Sequence, residues 1–273
     1  MVAAWHLWEK TSDERWRALF TENIEQLWQT WHPVPDQGIY VWTQDLYGRI
    51  VQLVGAGHGF VGNVYPLLRG AALFDTTRRE ASYERCAKTL RMTGMFENGE
   101  ANWPPSLSAP RPGGTNKMMQ WCHGAPGVIT ALAADYPHKH SSDMDDMLLA
   151  GGEAVWTAGP LSKGHGLCHG TAGNGYAFLK LFKRTGNSLW LDRAPAFACT
   201  QLHSEMPCSN NTEWVATTCG TVTWDLPCTC GIALQKRMAC RRLTSLTERC
   251  SGGWHPETAK RLQQLRRAEK DPP

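Results

Sequence analysis

The stretches Trp121-Cys122-His123-Gly124-Ala125-Pro126-Gly127 and Gly166-Leu167-Cys168-His169-Gly170-Thr171-Ala172-Gly173 share a pattern with Gly55-Ala56-Gly57-His58-Gly59-Phe60-Val61-Gly62. Each has a His-Gly pair, a second glycine three residues on, and then an apolar run. Glycine at these points lets backbones approach closely and enter a helix through a tight turn. A recurring turn-plus-helix unit predicts a closed or stacked array of helical pairs, with the equivalent turns gathered on one face.

The sequence around these turns reads as helices separated by glycine-rich connections. Trp16, Leu19, Phe20, Ile24 and Leu27 follow the i, i+3, i+4 spacing of one helical face, and residues 147–156 and 176–182 do likewise. Residues 103–114, rich in proline and glycine, predict a loop, and strand signals are scarce. With 273 residues, 42% of them apolar, the chain can bury a substantial core. A net charge of +3 with no basic stripe argues against a nucleic-acid partner. No run approaches the roughly 18–20 apolar residues of a membrane span, and residues 1–10 lack the pattern of a secretory signal. The expected compartment is the reducing cytoplasm.

Thiolate and imidazole are good zinc ligands, and Cys168-His169 together with Cys122 from an equivalent turn offers three donors, leaving a fourth tetrahedral position open. Cys122 and Cys168 lie 46 positions apart, so only the fold can bring them together. The competing reading is that both are small buried apolar residues and that the histidines are hydrogen-bonded turn residues.

The two Cys-His-Gly turns, with Trp42-Thr43-Gln44-Asp45-Leu46-Tyr47-Gly48-Arg49, the His58 turn and Ala101-Asn102-Trp103-Pro104-Pro105, resemble the signatures of lanthionine synthetase C-like (LanC-like) proteins over residues 16–197. The resemblance implies an all-α fold, an (α/α) toroid of helical hairpins that is incomplete in this chain. It implies Zn2+ bound by Cys122, Cys168 and His169, with His58 beside the metal as an acid/base. His123 adjoins a ligand and is a second candidate for the proton-transfer role. It further implies addition of a thiol, from glutathione or a peptide cysteine, to dehydroalanine or dehydrobutyrine in a peptide, forming a thioether. Zinc would deprotonate the thiol, the thiolate would attack the β-carbon, and His58 would protonate the α-carbon. Lanthipeptide cyclases carry an arginine four residues before the first zinc cysteine; Met118 stands there, with Lys117 as a substitute. Two other readings are a zinc- and glutathione-binding scaffold without turnover, and a toroid linked to carbohydrate metabolism. Membrane association, known for some relatives, is compatible with the chain.

The resemblance ends near Phe197-Ala198, and seven of the ten cysteines follow it: Cys199, Cys208, Cys219, Cys228, Cys230, Cys240 and Cys250. Reading Thr221 to Cys230 one base out of frame permits G-D-L-G-L-A-V-Y-L-W, a phrase similar to a further turn and helix of the family. Trp224-Asp225 forces a glycine in that frame whatever codons are chosen. The expected organisation is therefore a partial toroid over residues 1–198, N-terminally truncated relative to the family, and an out-of-frame, disordered tail over residues 199–273. On this reading Cys228-Thr229-Cys230 is no metal motif.

Overall fold

Helix-forming patterns dominate the computed structural model, which describes residues 1–46, 48–108, 117–138, 142–160 and 164–205. The first pair is α1 (Val2–Thr11) and α2 (Glu14–Gln29), which pack on each other. The Asp13 side chain starts α2 by accepting from the Arg15 amide, satisfying one of the free N–H groups of the first turn. The predicted face of α2 is realised through Phe20 and Ile24, which are fully buried.

Beyond α2, short antiparallel ladders alternate with helices. β1 (His32–Pro33) pairs with β2 (Tyr40–Val41), and β3 (Gln44–Leu46) with β4 (Arg49–Val51). α3 (Phe60–Arg69), a 3-10 turn at Ala71–Leu73 and α4 (Thr76–Thr93) follow. β5 (Met95–Glu97) pairs with β6 (Glu100–Asn102), with Met95 opposite Asn102, and leads to Trp103. Trp103 is fully buried and its indole N–H donates to the Leu90 carbonyl at 2.9 Å. The ladders of two or three residues are too short for strand periodicity to register in the sequence, and they serve as connectors.

α5 (Ala125–Leu132) is apolar and buried on nearly every side, the signature of a central helix. It packs against α3, α6 (Ser142–Ala158) and α7 (Thr171–Thr185); α6 also lies on β6 and α7. Arg184, 2% exposed, locks the end of α7 by pairing with Asp145 of α6 and donating to the carbonyls of Ala133 and Tyr136 at 3.0 and 2.8 Å. Charged hydrogen bonding offsets its desolvation. α8 (Ser188–Glu205) carries Trp190 and Phe197, which meet Phe178 of α7 with ring centroids 6.0 and 5.2 Å apart.

Residues Met1–Gln201 form one unit, all-α apart from the short ladders, with the architecture of an incomplete (α/α) toroid. The other unit, Leu202–Pro273, is described only where it completes α8, so the expectation of a disordered tail lies outside the described residues. Among the described residues, no helix is long and apolar enough to cross a membrane.

Candidate metal centre

The three repeated turns are built alike. Gly59, Gly124 and Gly170 are the N-caps of α3, α5 and α7, and none donates a capping side chain. The glycine three residues further on tucks under the carbonyl six residues before it. A Cβ on Gly62 would lie 2.4 Å from Ala56 O, on Gly127 1.9 Å from Trp121 O, and on Gly173 2.0 Å from Leu167 O. No side chain fits there without moving the backbone, which is why the same spacing recurs.

Backbone hydrogen bonds stitch the turns together in order. Gly57 N–H donates to Cys122 O, and Cys122 N–H donates to Cys168 O, each at 3.2 Å. Gly55 and Gly57 leave no room for a side chain, since a Cβ there would meet Cys122 O at 2.0 Å and Cys122 Cβ at 2.7 Å. Cys122 is thus held between its neighbours.

This stitching brings the Sγ atoms of Cys122 and Cys168 and a ring nitrogen of His169 within 4.8 Å of one another. The set can hold a metal ion: two sulfurs and an imidazole converge from two turns far apart in sequence. Cys122 is 2% exposed, Cys168 half-buried and His169 exposed, so the group faces outward on one side. Without a metal, burial and then the adjacent Cys168 push the Cys122 thiol up to about 11.

His58, on the first turn, is exposed. His123 is half-buried, and burial first, then the charges of His58 and His169, hold its pKa below the usual histidine value. The three imidazoles therefore lie within electrostatic reach of one another. His123 Nδ1 is buried without a hydrogen-bond partner, 2.8 Å from where a Cβ on Gly55 would stand. Lys117 lies 4.0 Å from Glu97 as an exposed ion pair.

Three residues given no role from the sequence position this centre. Asn102 donates to Met118 O at 3.1 Å and accepts from Ala125 N–H at 2.8 Å, bracing the approach to Cys122 and satisfying the start of α5. Asn174, fully buried, donates to Met119 O at 3.2 Å. Gln120 turns its side-chain amide onto Cys122 Sγ at 3.1 Å. Asn102 stood in the quoted Ala-Asn-Trp-Pro-Pro stretch, but its partners lie 16 and 23 positions away, beyond the reach of any local pattern.

The family model described as lanthionine synthetase C-like protein matches residues 5–218, running about 20 positions past residue 198. A zebrafish (Danio rerio) protein named glutathione S-transferase LANCL1 is 32% identical over 160 residues, covering 59% of this chain and 36% of its own length. An Arabidopsis thaliana LanC-like protein, GCL1, is 36% identical over 145 residues, covering 53% of this chain and 31% of its own.

Proposed function

The chain belongs to the lanthionine synthetase C-like family, and from that premise we propose that Cys122, Cys168 and His169 hold zinc and that the site adds a thiol to a dehydroamino acid, forming a thioether. The observation that supports this most is the convergence of the three ligand atoms within 4.8 Å. Zinc, when bound, lowers the pKa of a coordinated thiol, about 8.5 when free, so that it is a thiolate at neutral pH.

The chain's own residues supply the rest. Thiolate attack on the β-carbon moves the double-bond electrons toward the carbonyl, and the resulting enolate needs a proton at the α-carbon. His58, exposed on the turn stitched to Cys122, is the donor, since an imidazole on that turn is placed to pass a proton to a group held at the site. Burial first, and then the charges of His58 and His169, lower the His123 pKa, which favours its uncharged form and suits it to accept a hydrogen bond. The zebrafish relative is named as a glutathione transferase, which favours glutathione as the thiol over a peptide cysteine, with a dehydroalanine- or dehydrobutyrine-containing peptide as acceptor. Met118 at the place of the cyclases' arginine, and Lys117 turned toward Glu97, also favour an intermolecular thiol over ring closure. Free thiols at Cys86, Cys122 and Cys168 suit the cytoplasm.

The chain spans about a third of the length of the curated relatives it matches, and a second reading is a zinc- and glutathione-binding protein without turnover. Incubating the zinc-loaded protein with glutathione and a dehydroalanine peptide separates the two. Thioether adduct by mass spectrometry, accumulating with turnover, supports the enzyme; glutathione binding without adduct supports the scaffold. A carbohydrate-cleaving site needs paired carboxylates, and the group at these turns is two cysteines and a histidine.

A further inference from the structure

Gln120 is 6% exposed, and its side chain folds back over its own turn so that Nε2 lies 3.1 Å from Cys122 Sγ. Burying a glutamine costs rotamer freedom and desolvates an amide. Both costs are met here to aim one N–H at a sulfur. The turn is rigid: Gln120 N–H donates to His123 O at 3.1 Å, and His123 N–H donates back to Gln120 O at 3.2 Å. The two residues before it are held from outside, Met118 O by Asn102 and Met119 O by Asn174. The amide is therefore pre-organised against the sulfur.

A neutral thiol is a weak acceptor, whereas a thiolate makes the short, charge-assisted kind of hydrogen bond. The oxygen end of the amide would face the sulfur lone pairs with repulsion, so the amino end is the one that belongs there. Water can reach the half-buried Cys168 and the exposed His169, but Cys122 is 2% exposed. A buried anionic ligand needs donors from the protein, and Gln120 supplies one from its side chain.

We propose that Gln120 is a positioning residue of the metal centre, whose amide holds Cys122 as the charged sulfur ligand and tempers how much charge that sulfur gives to the metal. The proposal rests on the reading that Cys122, Cys168 and His169 bind metal. Hydrogen bonds to metal ligands of this kind set affinity and electronic character together.

The test uses the whole chain with Zn2+ and Co2+ as probes. Zinc affinity is measured by competition with a chromophoric chelator, and the sulfur-to-cobalt charge-transfer band by absorption. Gln120→Leu is expected to weaken zinc binding by about 10- to 100-fold. It should also move the cobalt band to lower energy, because a sulfur without its hydrogen bond is more electron-rich. Gln120→Glu, nearly the same shape, puts oxygen against the sulfur and should weaken binding at least as much; it carries the test if the leucine variant does not fold. Wild-type protein that binds zinc, with both variants within twofold of it and an unshifted cobalt band, overturns the role of Gln120 and leaves the metal centre standing. Weaker binding with an unshifted band and a lowered melting midpoint of the metal-free protein also overturns it, as that is a structural effect alone. Wild-type protein that binds neither metal overturns the metal reading, and this proposal with it.

Discussion

Cys122 meets the other two turns through its backbone and the metal group through its sulfur, so its environment governs how the centre behaves without metal. Its thiol is pushed up to about 11 by burial and by Cys168, so at neutral pH the metal-free residue carries its proton. A ligand must shed that proton to bind, and zinc affinity therefore rises with pH. With a pKa far above the working range, this proton alone adds about one decade in affinity per pH unit throughout pH 6–8. Titration of zinc against a competing chelator at several pH values checks it; a flat profile would mean that Cys122 is not a ligand. His58 belongs to the same scale. His58→Asn should keep zinc and glutathione binding while adduct formation falls by roughly 10²- to 10⁴-fold, the usual contribution of a positioned acid or base. Near wild-type steady-state rates in the zinc-loaded variant would assign the proton to another group.

At the scale of elements, the repeated turn is a packing device before it is a chemical one. Gly127→Ala puts a methyl group 1.9 Å from Trp121 O, and the α5 backbone must shift. The expected destabilisation is about 3 kcal/mol, at the upper end for overpacking. Gly151→Ala, inside α6, meets nothing closer than 3.4 Å and removes a helix-weakening glycine. It should be neutral or stabilising by less than about 1 kcal/mol. Urea midpoints of the two variants compare them directly; equal midpoints would refute the close-approach argument. The helices of this region were legible because apolar residues repeat on one face in α2 and α7. α4 was not: its inward residues are Ser82, Tyr83, Cys86, Thr89 and Leu90, a helical spacing written partly in polar residues. Cys122, Cys168 and His169 could be singled out because their turns resemble the signatures of the family, the repeat alone leaving buried apolar cysteines as an alternative. Gln120, Asn102 and Asn174 could not, because their roles exist only where separate segments meet.

At the scale of the whole molecule, the described helices form part of a larger family fold, and the curated relatives are about three times as long as the matched segment. We propose that the coding frame changes near codon 198, where the seven late cysteines begin. The family match runs in the present frame to residue 218, so the gene itself decides between a frame change and a cysteine-rich segment. Genomic DNA around that codon is expected to encode G-D-L-G-L-A-V-Y-L-W one base out of phase with Thr221 to Cys230; codons there that do not permit this phrase would refute the frame change. The central claim is the metal centre, and metal content tests it most directly. Elemental analysis of wild-type protein and Cys168→Ala, purified side by side, should find one zinc per chain in the first and almost none in the second. Equal zinc in both would contradict the account.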